Sequence, residues 1–223
     1  MSRRYHAMLT RYNIAFNGNT SYREGMENLA KSNKDDYSEI IRMFPVSNHS
    51  NTSSAKGNMD RTIEKSRKAI KLHSIRKKPE RDYKRYNDPL YQAFYNQNEF
   101  NPELKKVWMQ LGKAEFHKGD FLGSVGTFGY ITRFFATDPD IVWAAQLWTA
   151  RAYAEMDWIY EAEDMLQKVK PDKLKGENTG LYASTRADLL IKNGQFAEAV
   201  PFLKTAIEQE KDKKLRTRFK FVM

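Results

Sequence analysis

Three stretches of this chain carry one pattern, and that pattern limits the fold more than any other feature. They are WMQLGKAEFHKGDFLGSVGTF from Trp108, WTARAYAEMDWIYEAEDML from Trp148 and STRADLLIKNGQFAEAVPFL from Ser184. Each reads as a helix, a tight turn and a second helix, with apolar residues at helical spacing. Aligning the turns puts Ser124, Ala162 and Ala199 in register. Small residues fall where paired helices must touch: Gly112, Ala114, Ala150, Ala152, Ala162, Ala187 and Ala199. Trp108, Leu111, Phe128, Leu166 and Leu203 are the expected core.

The registered positions recur 38 and 37 residues apart, a little above the period of about 34 of a tetratricopeptide repeat. Trp108, Leu111 and Gly112 reproduce that repeat's W-x2-L-G signature. The expected fold is therefore all-α, a right-handed superhelix of stacked helix pairs. The pairs span about 103–137, 139–170 and 178–210, and 212–223 reads as the first helix of a further pair, cut short. Gly119-Asp120 and Asn193-Gly194 mark turns, while Asn101-Pro102 and Asp138-Pro139 mark helix starts.

Residues 1–87 form a separate, basic segment ahead of the repeats at 88–223. Tyr5, Met8, Leu9, Tyr12 and Phe16 predict an apolar helix face, with Asn17-Gly18-Asn19 as its stop. A second helix over about 20–33 places Tyr22, Met26 and Leu29 together, so the start reads as a helix hairpin. A short segment at 37–44 ends at Pro45. Residues 46–58 lack large apolar groups and read as a mobile loop. Helix returns over 60–75, with Ile63, Ala69, Ile70 and Ile75 inward, and a tyrosine-rich tract follows at 80–100.

Charge follows the same division. Residues 1–87 hold 19 Lys+Arg against 9 Asp+Glu, whereas 88–223 hold 19 of each. The net +10 thus lies outside the repeats, densest at 61–85. The plain reading is a solvated face. The alternative is a contact surface for an acidic partner, an anionic membrane or, less in keeping with the absence of any reading module, nucleic acid. Arg61, Lys65, Arg67, Lys68 and Lys71 are its candidate residues. Cysteine is absent, which removes disulfide and thiolate-metal chemistry. No apolar run approaches the ~20 residues of a membrane span.

Nothing in the sequence calls for a cofactor, a metal or catalysis. His6, His49, His73 and His117 lack ligand spacing, and neither a phosphate-cradling loop nor a nucleophile elbow is present. The candidate site is the concave face lined by first helices. Helical phase assigns to it Lys106, Met109, Lys113, Phe116, His117, Arg151, Glu155, Asp188 and Lys192. That mixture suits a peptide or helix bearing acidic groups, although the N-terminal segment could equally cover it. A carboxylate-clamp cochaperone would need asparagine before the groove lysines, where Gln110, Trp148 and Thr185 stand. Gly123, Gly126 and Gly129 within one helix predict close approach of another backbone, because each costs about 1 kcal/mol against alanine.

Longer segments carry a narrower likeness. YHAMLTRYNIAFNGNTSYREG at 5–25, IEKSRKAIKLHSIRKKP at 63–79 and the block from FNPELKKVWMQLG through TARAYAE resemble gliding-motility and type IX secretion lipoproteins of the SprE/PorW type. The resemblance implies a noncatalytic protein–protein interaction scaffold on the periplasmic face of the outer membrane. It also implies protein partners in an envelope complex and a lipid-bearing cysteine ahead of residue 2.

Overall fold

Eleven α-helices make up the regular structure of the computed structural model, which describes residues 2–38, 40–44 and 52–223, with the backbone alone for 13–15. Among the described residues there is no strand. In chain order the helices are α1 (Arg3–Leu9), α2 (Phe16–Ser32), α3 (Lys56–His73), α4 (Pro89–Tyr95), α5 (Leu104–Lys118) and α6 (Phe121–Phe134). After them come α7 (Pro139–Glu155), α8 (Ile159–Gln167), α9 (Glu177–Lys192), α10 (Phe196–Gln209) and α11 (Lys213–Val222).

The expected pairs are present as α5/α6, α7/α8 and α9/α10, each packed as a unit, with α7 also touching α6 and α9. Local chemistry sets their boundaries. Gly119 ends α5 at φ +90 and Gly194 follows α9 at φ +73, left-handed conformations that glycine adopts without steric cost. The Asp120 carboxylate accepts from the Gly123 amide at 2.9 Å to start α6. Asn101 Oδ1 accepts from the Glu103 amide at 3.1 Å, capping the turn into α5. Asp138, expected to cap α7, instead accepts from Lys105 Nζ at 2.7 Å.

Packing bears out the locking role of the small residues. Gly112 lies against Phe128, where a Cβ would stand 2.5 Å from the ring. Ala150, Ala154, Ala162 and Leu166 share one cluster with Leu189, while Ala187, Ala199 and Leu203 share another with Phe219. The glycine row in α6 behaves otherwise. A Cβ on Gly126 or Gly129 would meet nothing within 4 Å, so no second backbone approaches there and that expectation is overturned.

The N-terminal segment departs from its reading. Residues 10–15 form a π-helical stretch joining α1 to α2, and Gly18 lies inside α2 instead of ending a helix. There Gly18 admits Gln110 of α5, whose Nε2 is 2.9 Å from the position of a Cβ. The wider π turn also changes which face packs inward. Thr10, Ser21 and Leu29 are buried, whereas Tyr5, Met8, Tyr12 and Phe16 are exposed. The pair is therefore α2 with α3, and α3 in turn packs on α5. Asn101 fastens this arrangement, donating to Thr10 Oγ1 and the His73 carbonyl, each at 3.0 Å.

Of the expected loop at 46–58, residues 46–51 and with them His49 lie outside the described residues. Residues 52–55 form a 3-10 turn and 56–58 open α3, with Ala55 and Met59 fully buried. Residues 33–38 and 40–44 form no helix and serve as a strap between α2 and α11. Its Asp35 carboxylate takes a two-pronged contact from Arg218 of α11 at 2.6 and 2.7 Å. Arg218 Nε also donates to the Arg42 carbonyl at 2.8 Å. Met43 and Phe44 enter the core formed by α9, α10 and α11.

Candidate functional site

The first helices of the three pairs each supply residues to a single cavity of about 550 Å³. From α5 come Met109, Lys113 and His117, from α7 Ala144, Trp148 and Arg151, and from α9 Gly180, Leu181 and Ser184. The strap and α2 close it with Phe44, Tyr22 and Met26. A neighbouring cavity of about 690 Å³ shares Tyr22, Met109 and Lys113 with it and extends toward Lys106 and Arg11.

Its charges are held mainly by rings. Arg151, 7% exposed, lies over Phe44 at 4.0 Å, Trp148 at 4.5 Å and Phe116 at 5.3 Å. Lys113 Nζ sits 5.1 Å from the Trp148 ring. Burial lowers the pKa of both cations, and Glu155 and Asp188 oppose that shift at Arg151. Burial likewise pushes the Tyr22 phenol well up, against the pull of Arg151. The His117 ring packs between Tyr22 at 5.7 Å and Trp148 at 5.8 Å.

The structure divides the expected groove residues. Met109, Lys113, His117 and Arg151 come together around the cavity. Lys106 stands on its outer rim, paired with Glu103 at 3.1 Å. Phe116 is not a groove residue: it is fully buried against Phe121 and Trp148, each 5.3 Å away between ring centres. Its neighbours on the helix face the cavity, but Phe116 points to the α6/α7 side, where aromatic burial is greater.

Glu155, Asp188 and Lys192 form a separate cluster that lines neither cavity. Lys192 Nζ donates to the Ala154 carbonyl at 2.6 Å and lies 3.8 Å from Asp188. Burial raises Asp188 and pushes Glu155 up to about 7.

The basic helix also divides. Arg61, Lys68 and Lys71 are exposed and have no ion pair among the described residues. Lys65 is half-buried. Arg67 instead pairs with the buried Glu115 at 3.0 Å, and Thr127 Oγ1 donates to the other carboxylate oxygen at 2.5 Å. It therefore ties α3 to α5 and is not a free contact. Sequence reasoning missed Phe44, which no periodic pattern marks, and Tyr22, which it placed on a packing face without a partner.

Among the described residues, no cluster of three or more histidine, aspartate or glutamate side chains is arranged for a metal ion. No helix among them is long and apolar enough to cross a membrane. Comparison with protein-family models and with curated proteins found no match for this chain.

Proposed function

We propose that the chain is a noncatalytic protein-interaction scaffold whose helix pairs stack as a right-handed tetratricopeptide-like superhelix. The observation that carries this reading is the shared cavity. Three successive first helices converge on it, α5 and α7 with basic, aromatic and methionine side chains and α9 with Leu181 and Ser184, the composition of a recognition surface. The sequence resemblance adds the setting: an envelope lipoprotein of the SprE/PorW type, acting with protein partners on the periplasmic face of the outer membrane. The test is affinity capture from envelope extracts with the wild type beside Lys113→Glu, the variant's helicity checked by circular dichroism. One envelope protein held by the wild type and lost by the folded variant supports the reading; an identical captured set overturns it.

A second reading follows from Arg61, Lys68 and Lys71, exposed and without ion pairs among the described residues. It is an electrostatic contact with an anionic membrane or a nucleic acid. Such binding falls steeply with salt, whereas capture at the cavity persists at moderate salt.

A further inference from the structure

We propose that the cavity between α5, α7 and α9 is a carboxylate pocket that takes a single acidic side chain of a partner peptide. This rests on the scaffold reading above and names the chemistry of its partner.

The argument starts from two cations. Neither Lys113 nor Arg151 has a carboxylate within ion-pair distance or a hydrogen-bond acceptor among the described residues. Other basic side chains at helix contacts are matched by carboxylates, among them Arg67 with Glu115, Arg186 with Glu163 and Arg218 with Asp35. Glu177 acts on Lys113, and Glu155 and Asp188 on Arg151, only from beyond contact. A charge taken out of water without a counter-ion in contact is costly, and rings offset only part of that cost. Two such cations on the wall of one cavity leave unused positive charge where a bound anion would relieve it.

A third donor stands with them. Tyr22 lines the same cavity, and its hydroxyl has no hydrogen-bond partner among the described residues. A carboxylate has two oxygens and about four lone-pair directions, enough for an ammonium, a guanidinium and a phenol. Part of the wall is apolar, from Met26, Met109, Trp148, Phe44 and Leu181, beside the polar His117, Ser184 and Gln209. That surface suits a side chain flanking the acid.

The rim favours a monoanion. Glu177 and Glu210 line the mouth beside a single cation, Lys211. Glu177 lies 4.0 Å from Lys211 and acts on Lys113 only at longer range, and Glu210 accepts from the Asp212 amide at 2.8 Å. Their charges oppose a dianionic phosphate more strongly than a carboxylate.

The experiment uses the purified full chain and a short fluorescent peptide with one glutamate beside one phenylalanine. The same peptide with glutamine, and inorganic phosphate as a competitor, complete the set. The glutamate peptide is expected to bind about tenfold or more tighter than the glutamine peptide. Lys113→Met is expected to abolish that preference without lowering the melting temperature, and Tyr22→Phe to reduce it by a few fold. Equal binding of both peptides, no binding of either, or phosphate binding without peptide binding each overturns the pocket. If Lys113→Met fails to fold, the wild-type comparison and Tyr22→Phe still decide. A pocket that binds the peptide while capture from extracts fails would sink the scaffold reading alone. Capture that succeeds without discrimination between the peptides would sink the pocket alone.

Discussion

The guanidinium carbon of Arg151 lies 4.0 Å from the ring centre of Phe44, and this contact joins the N-terminal strap to the middle helix pair. Phe44 also meets Phe219 edge-on at 5.7 Å, so one side chain bridges α7 and α11. Phe44→Ala would open a cavity beside Phe219 and leave Arg151 with less of its ring contact. The expected loss of stability is about 3 kcal/mol, read by urea denaturation, with Phe44→Leu losing less. An unchanged midpoint for Phe44→Ala would mean that the strap is an ornament on the fold.

The strap's other fastening is the two-pronged contact of Asp35 with Arg218. Hydrogen bonds from Arg218 hold the Asp35 carboxyl below its ordinary value. A carboxylate with a depressed folded pKa adds stability above its unfolded value, about 3.9. That stability is lost as pH falls through the lower folded value. Asp35→Asn should therefore cost about 1–2 kcal/mol at neutral pH, a difference that closes under acid conditions. Parallel stability curves for the two proteins down to pH 3 would rule this out.

What the sequence made legible was local. The turns at Gly119 and Gly194 and the contact of Gly112 with Phe128 follow from glycine placement and helical period within one pair. Gly18 was misread because its role depends on Gln110, a partner far along the chain. The exposed face of Tyr12 and Phe16 was assigned inward because no sequence signal marks a π turn. At the site, helical phase found Lys113 and Arg151 but also took in Phe116, since one face of a helix holds residues that diverge to different neighbours. Phe44 was invisible for a related reason: an irregular strap has no period.

Two glycines test the packing account against each other. Gly112→Ala would place a Cβ 2.5 Å from the Phe128 ring, forcing a fully buried aromatic to move, and should destabilise by about 1–3 kcal/mol. Gly126→Ala adds its Cβ to open space on a helix and should stabilise by roughly 0.5–1 kcal/mol. Thermal denaturation of both variants gives the comparison. Shifts of the same sign would contradict the assignment of Gly112 to a contact and Gly126 to a free surface.

The cluster beside the cavity makes stability depend on pH in the opposite sense to Asp35. Burial pushes Glu155 up to about 7, with Asp188 raising it further and Lys192 and Arg151 opposing. In the unfolded chain a glutamate titrates near 4.3. Between those values the folded state holds a proton that the unfolded state has released, so this contribution is full below the unfolded pKa and is lost as pH rises to about 7. The span is worth on the order of 3 kcal/mol, and Asp188, also raised by burial, acts in the same direction. Glu155→Gln imitates the protonated acid at every pH. It should match the wild type near pH 4, exceed it above pH 7, and flatten the decline between them in urea denaturation. A variant whose curve runs parallel to the wild type through that window would show that Glu155 is ionised in the fold, and that Lys192 and Arg151 outweigh its burial.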